Sequence, residues 1–481
     1  MYWNIIYEIV YAIIVLLVCL RVVYDTRDNT KTLAYLLLVI FVPIIGILFY
    51  FSFGINYRVN KLYSKKLFKN DDLADRLEKS VRMHSDKVLN QGEKPVQEFR
   101  ELANLLVNDS LSALTSGNSV ELLLNGEEKF PSVLQALEAA EEHIHIEYYI
   151  FEDDNIGQTL AEVLIRKARE GVRVRFIYDD FGSRSIRKKL VPRLREAGVE
   201  VYPFHKVIFI AFANRLNYRN HRKIIVVDGD IGFVGGINVN DKYINQGHQM
   251  FWRDTHLKIQ GPGVYYLQFL FLCDWNFCAQ DNLMPNRNFF PFKEHENTQN
   301  KIVQIAASGP DSDTPTILFS LLEVIGLARR EILITTPYFI PTESLLSALM
   351  VASLGGISIK LLVPGKSDSV FVNAAAKSFY EDLLGANVEI YLYQKGFIHA
   401  KTLVVDQEIT MIGTANMDTR SFDLNFEVNA IVYDEDLSGK MYAAFHQDIS
   451  HAVKIERDVW LNRPWYRKLS EKTARLLSPL L

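Results

Sequence analysis

A chain of 481 residues exceeds what one hydrophobic core serves and predicts two or three domains. Nearly half of its residues are apolar and 23% are charged, which excludes an intrinsically disordered chain. A net charge of -4 argues against a general nucleic-acid binder, which presents a basic balance or a basic stripe.

The amino end reads as a membrane hairpin over residues 1–57. Ile9 to Leu20 is apolar between Glu8 and Arg21, and the segment Tyr2 to Tyr24 spans a bilayer if Glu8 sits near one surface. A cleaved signal peptide is disfavoured, because a basic leader and a small-residue cleavage site are both missing. Thr32 to Tyr57 carries no charge and is longer than the roughly 20 residues that cross a bilayer. Pro43 and Gly46 inside it are tolerated in membrane helices. Arg58, Lys61, Lys65, Lys66 and Lys69 follow the second span, against Arg21, Arg27 and Lys31 in the short loop. That balance predicts a multi-pass protein whose large part is cytoplasmic. The same basic residues suit anionic lipid, or form a solvated helical linker over 58–110.

The remainder reads as one α/β unit written twice, over 111–295 and 296–481. In the first, a helix pattern (Val133 to Glu142) leads to the strand His143 to Phe151. A second helix pattern near Thr159 to Glu170 leads to the alternating strand Val172 to Tyr178. In the second, Leu318 to Ala328, Glu331 to Ile340, Ser344 to Ala352 and Ile357 to Val363 repeat the order. Strands alternating with helices predict parallel sheets covered by helices, and the duplication predicts two similar packed domains. His143 and His145 alternate on one strand, which suits one packed and one half-exposed ring better than a metal pair. Cys273 and Cys278 read as buried thiols, and with Cys19 they make no zinc spacing.

Two motifs carry the chemistry: Asn220-His-Arg-Lys-Ile-Ile-Val-Val-Asp228 and Ile398-His-Ala-Lys-Thr-Leu-Val-Val-Asp406. His221 and Lys223, and likewise His399 and Lys401, are two apart on a predicted strand and so share a face. A small-residue turn ending in Asn follows each, at Asn238 and Asn416, and then a carboxylate, Asp254 and Glu427. A carboxylate on one imidazole nitrogen fixes the tautomer and supports the cation. Two such sets around one pocket suit a phosphodiester. The Lys and Asn pairs stabilise charge on the non-bridging oxygens. One His attacks phosphorus, and the other protonates the leaving alkoxide and then activates the entering alcohol. Lys supplies the positive charge, so no metal and no other cofactor is expected.

The paired motifs resemble the phospholipase D superfamily, and the whole chain is similar to the bacterial cardiolipin synthase family. The likeness extends through Gly117-Asn118, Tyr148-Tyr149, Trp252-Arg-Asp254, Ser308-Gly-Pro-Asp311 and Pro337-Tyr338 to Ser478-Pro-Leu-Leu481. It implies duplicated phospholipase D-like domains behind a transmembrane hairpin in the bacterial cell membrane. It implies transfer between two phosphatidylglycerols to give cardiolipin and glycerol through a phosphohistidine. It further implies His221 as nucleophile, His399 as acid/base, and Asp254 and Glu427 as orienting carboxylates. Asp228 and Asp406 are expected to brace the strand and its Lys. Phospholipase D hydrolysis to phosphatidic acid is the alternative with the same residues. A tethered nuclease and a non-catalytic lipid scaffold fit less well. Oligomeric state is not legible.

Two further stretches read two ways. Val207 to Ala213 is either a buried strand or an apolar loop that enters lipid. Trp465 to Leu477 is a basic amphipathic helix that lies on anionic membrane or packs on the second domain.

Overall fold

The computed structural model describes residues 2–26, 29–51, 71–92, 94–204, 218–247, 250–281, 283–291, 293 and 299–476. Val207 to Ala213 and the basic residues 58–69 lie outside them.

The first apolar stretch is one continuous helix, Tyr2–Asp25. Among the described residues it is the one helix long and apolar enough to cross a membrane. The second stretch is interrupted. Asn29–Phe41 ends and Pro43–Phe49 begins at Val42, whose ψ of 64° leaves the helical region. Proline has no amide hydrogen and its ring crowds the preceding turn, so the helix breaks there. The two stretches pack through Val18, Val22, Val39 and Tyr50. The Tyr50 hydroxyl donates to Asp25 at 3.1 Å.

The rest of the chain is α/β, and its repeat is visible strand by strand. Thr115–Leu124 and Lys301–Ser308 pair antiparallel at the centre, Thr115 opposite Val303, so both halves share one sheet. Outward through the first half come Thr255–Gln260, Ile231–Gly235, Lys223–Val227, His143–Tyr148, Arg173–Asp179 and Glu200–Phe204. Outward through the second come Asn425–Tyr433, Ile409–Gly413, Thr402–Val405, Glu331–Thr335, Ser358–Pro364 and Glu389–Tyr393, with Ala452–Lys454 added at the edge.

The expected parallel sheets are therefore mixed. Along this sheet, three strands of each half run parallel, from His143–Tyr148 outward in the first and from Glu331–Thr335 to Glu389–Tyr393 in the second, where the edge strand Ala452–Lys454 is antiparallel. The inner ones are antiparallel, because each motif strand turns straight back into its neighbour without a crossover helix. The crossover Asn155–Arg169 begins with Asp154, whose carboxylate accepts from the Gly157 amide at 3.0 Å. It ends in Arg166, Lys167 and Arg169, which complement the helix dipole.

His143 and His145 are both fully buried, which corrects the half-exposed expectation. Gln268, on helix Val264–Ala279, lies 3.1 Å from a ring nitrogen of each. The His145 ring stacks on Phe271 at 4.4 Å. One amide thus serves both rings as a core hydrogen-bond hub. Cys273 and Cys278 are unpaired and half-buried.

Leu102 and Leu106 of helix Arg100–Ser110 enter the second half's core beside Ile317 and Leu321. The carboxyl-terminal helix Trp465–Arg475 packs on Val370–Gly385. Lys468 reaches Glu381 at 3.0 Å and Arg475 reaches Asp382 at 3.3 Å. Its basic face is thereby occupied by protein carboxylates, while Trp465 and Tyr466 remain exposed.

Candidate active site

The two motifs reach the site through short strands that cross between the halves. Arg219–Asn220 pairs in parallel with the start of Asn425–Tyr433, Asn220 opposite Phe426. Gly396–Ile398 pairs likewise with Phe251–Arg253, Ile398 opposite Arg253. Carrying each register one residue further sets His221 beside Glu427 and His399 beside Asp254. The backbone confirms it. The His221 amide donates to the Phe426 carbonyl at 2.9 Å, and the His399 amide to the Arg253 carbonyl at 2.7 Å.

The imidazole contacts are consequently crossed. His221 Nδ1 lies 3.0 Å from Glu427 Oε2, and His399 Nδ1 lies 2.7 Å from Asp254 Oδ2. Both carboxylates are fully buried and held by further donors. The Thr414 hydroxyl and the Asn425 amide reach Glu427 at 2.5 and 3.1 Å. The Thr255 amide donates to Asp254 at 2.7 Å. A carboxylate on Nδ1 leaves Nε2 of each ring unprotonated and aimed away from its partner.

The motif strands begin at Lys223 and just after Lys401, not at the histidines. The shared-face expectation still holds locally. Lys223 Nζ donates to the His221 carbonyl at 2.7 Å, and Lys401 Nζ to the His399 carbonyl at 2.5 Å. His221, His399, Asn238 and Asn416 all line one cavity of about 650 Å³. The Asn238 amide group donates to the Tyr243 hydroxyl at 2.9 Å. The side-chain oxygen of Asn416 has no partner among the described residues.

Burial governs the protonation of the site. It pulls Lys223 down to about 7 and Lys401 down to about 8. It pulls His221 below the usual imidazole range despite Glu427. Burial and the Lys401 charge together bring His399 to about 3. Burial would raise Asp254, but Lys401 and His399 outweigh it and hold the carboxyl below its ordinary value. Burial opposes Glu427 likewise, and His221 and Lys223 overcome it. The resting site therefore pairs neutral imidazoles with ionised carboxylates, the form in which Nε2 is a nucleophile or a base.

Asp228 and Asp406 do not line the cavity, and they do not hold the lysines as expected. Each sits in the left-handed region, at φ 50° and 54°. Asp228 accepts from the amides of Glu141, Glu142 and His143 at 2.8 to 2.9 Å. Asp406 accepts from those of Arg329, Arg330 and Glu331 at 2.8 Å. They fasten the start of the adjacent antiparallel strand, whose amides would otherwise lack partners. Aspartate suits this corner, because its short polar side chain tolerates the left-handed conformation.

Several residues around the cavity carried no signal in the sequence. Lys129 is fully buried and donates to the Ile237 carbonyl at 3.1 Å, with its ammonium 4.8 Å from the Tyr148 ring. A lysine in a helical pattern ordinarily reads as solvated. Lys242 and Asp368 line one flank, and Arg184, Arg219 and Arg420 the other. Only the three-dimensional pairing of loops brings them to the motifs.

Two facing histidines, each backed by a buried carboxylate from the opposite half and each beside a buried lysine, define a phospholipase D-type phosphodiester site. Comparison with known proteins agrees. A family model described as "Cardiolipin synthase, PLD-like domain" matches residues 133–260 and 321–449. A "Phospholipase D-nuclease N-terminal" model matches residues 10–54. The chain is 40% identical over 476 residues to a cardiolipin synthase of Halalkalibacterium halodurans, covering 99% of this chain and 94% of that one. It is 38% identical to the major cardiolipin synthase ClsA of Bacillus subtilis, covering 99% of each. Among solved structures it resembles a phosphatidylserine synthase of Haemophilus influenzae, with a TM-score of 0.60 at 14% identity. That match covers 79% of this chain and 100% of the other, and speaks to the fold. The chain belongs to the cardiolipin synthase family of the phospholipase D superfamily and is an enzyme of that type.

Proposed function

We propose that the enzyme joins two phosphatidylglycerol molecules into cardiolipin and releases glycerol. One observation carries the reading: two carboxylate-backed imidazoles line a single cavity, so that one attacks phosphorus while the other handles the alcohol. His221 attacks the donor phosphorus through Nε2. His399, having taken up a proton at Nε2 with the anionic phosphodiester bound and paired as imidazolium with Asp254, gives that proton to the departing glycerol oxygen, leaving a phosphatidyl group on His221 and His399 neutral. The entering glycerol hydroxyl of a second phosphatidylglycerol then loses its proton to His399, and its oxygen displaces His221 from phosphorus. Lys223, Lys401, Asn238 and Asn416 stabilise the non-bridging oxygens. Glu427 and Asp254 hold the two rings. The relatives' names, cardiolipin synthases over nearly the full length, support the same product.

The amino-terminal helices are proposed to form a two-span hairpin in the bacterial cell membrane, with the catalytic part cytoplasmic and close to its lipid substrate. The basic flank after residue 57 supports that orientation. Single cysteines introduced near residues 27 and 75, labelled in intact cells, test it: the same result at both would refute a cytoplasmic catalytic part behind an external loop.

Membranes carrying the enzyme, given radiolabelled phosphatidylglycerol alone, should move label into cardiolipin and release glycerol. His221→Ala and His399→Ala should both be inactive. Label moving instead into phosphatidic acid would make the enzyme a hydrolase and refute the synthase reading.

A further inference from the structure

The two flanks of the cavity differ, although the motifs themselves are nearly symmetric. Around His399 stand three aromatic rings, Tyr243 and Trp252 each at 5.8 Å and Phe397 at 6.1 Å. Trp252 and Phe397 also contact each other at 4.8 Å. Past this wall stand Lys242 and Asp368, with the buried Asp418 also in the lining. The Lys242 ammonium lies 4.0 Å above the Trp252 ring. Among the described residues no carboxylate lies within salt-bridge distance of it. Asp368 accepts from the Tyr338 hydroxyl at 2.7 Å and from the Ser367 hydroxyl at 3.5 Å, and lines the cavity. The His221 flank is built differently: one ring, Tyr149, stands 4.7 Å from His221, and the charged side chains beyond it are arginines. There Phe181 is held between Arg184 and Arg219, at 4.1 and 4.2 Å, with Arg420 beside them in the lining.

The chemistry assigns the flanks. Displacement at phosphorus is in line, so the oxygen that leaves and the oxygen that enters both lie opposite the attacking histidine. With His221 attacking, both sit beside His399. The same residues therefore meet the departing glycerol and the entering one. The geometry points to a subsite for a phosphorylated polyol beside His399, in which Asp368 accepts hydrogen bonds from glycerol hydroxyls and Lys242 faces the second phosphodiester. This rests on the transferase reading above and adds what selects the acceptor. Asp368 is an acceptor-only group and rewards an alcohol with a spare hydroxyl, which neither water nor methanol offers while its one reacting oxygen is engaged at phosphorus. Lys242 rewards an acceptor that carries its own anion. The aromatic wall between them and His399 excludes bulk water.

The test uses the full-length enzyme in phosphatidylglycerol vesicles and reads three products: cardiolipin, phosphatidylglycerol labelled by exchange with free glycerol, and the phosphatidyl ester of added methanol. Asp368→Asn should lower cardiolipin formation and glycerol exchange about tenfold relative to methanol transfer, the size of one hydrogen bond to a charged group. Lys242→Gln should lower cardiolipin formation about tenfold and leave glycerol exchange within about twofold. Parallel loss of all three products in Asp368→Asn would overturn the subsite. So would intact cardiolipin formation in Lys242→Gln together with its loss in Arg219→Gln, which would move the second phosphate to the arginine flank. Wild-type enzyme that makes phosphatidic acid and no cardiolipin would instead overturn the transferase reading, a separate result.

Discussion

The crossed carboxylates make a prediction that an uncrossed site would reverse. Asp254 belongs to the first half by sequence, yet it holds His399 of the second, 2.7 Å from Nδ1 and fully buried. Asp254→Asn removes the charge while keeping the shape. A hydrogen bond between charged groups contributes about 1.5–3 kcal/mol, so the step that needs a protonated His399 should slow by roughly tenfold to a hundredfold. A phosphatidyl ester of p-nitrophenol separates the steps, because its leaving group needs no proton. With that substrate, Asp254→Asn should keep a fast burst of nitrophenolate and a phosphatidyl adduct on His221, followed by slow turnover. Glu427→Gln should lose the burst, because Glu427 backs the nucleophile. Rapid mixing under alkaline quench, followed by peptide mapping of the phosphohistidine, reads both. A lost burst in Asp254→Asn with a retained burst in Glu427→Gln would refute either the crossing or the order of the histidines. Adduct mapping distinguishes these, because it shows which histidine carries the phosphatidyl group.

Other consequences are tested more simply. Gly236→Ala would drive a Cβ into the Asp254 carboxylate, so turnover should fall at least as far as in Asp254→Asn while the melting temperature holds within a few degrees. Full activity in that variant would show that the carboxylate is not needed where it stands. Asp228→Ala removes the acceptor of three backbone amides and puts alanine in the left-handed region, costing about 2–4 kcal/mol. Asp228→Asn should cost clearly less, and equal melting temperatures for the two would contradict the bracing role. Lys223 and Lys401, lowered to about 7 and about 8, lose charge as pH rises, so kcat/KM should fall on the alkaline side from near pH 7 upward. A profile flat to pH 10 would mean that both lysines stay charged in the working site.

The motifs and their spacing were legible because strand chemistry is local. Lysine two residues after histidine, a branched apolar run, and an aspartate at the corner are properties of a few consecutive residues. The duplication was legible for the same reason, since the order of helices and strands repeats. What stayed hidden depends on how loops pair across the sheet. Asp254 and Glu427 could be named as carboxylates, but nothing in the chain order says that each serves the other half's histidine. That follows only from the register of Gly396–Ile398 on Phe251–Arg253 and of Arg219–Asn220 on Asn425–Tyr433. The inner strands looked parallel because burial, not strand direction, sets a run such as Ile224 to Val227. His143 and His145 gave no hint of Gln268, which arrives from a helix more than a hundred residues later. Lys242 and Asp368 are single charged residues in turns and acquire meaning only from the cavity between them.

The exchange of carboxylates has a consequence for how the protein comes into being. As the chain is synthesised, His221 is exposed long before Glu427 exists. An imidazole without its carboxylate partner lacks both the fixed tautomer and the electrostatic support that make it a competent nucleophile. A first half without the second therefore lacks the support that Glu427 gives His221. Each half completes the other's histidine: the second brings Glu427 to His221, and the first brings Asp254 to His399. The pairing thus ties the support of both imidazoles to a chain folded through both halves.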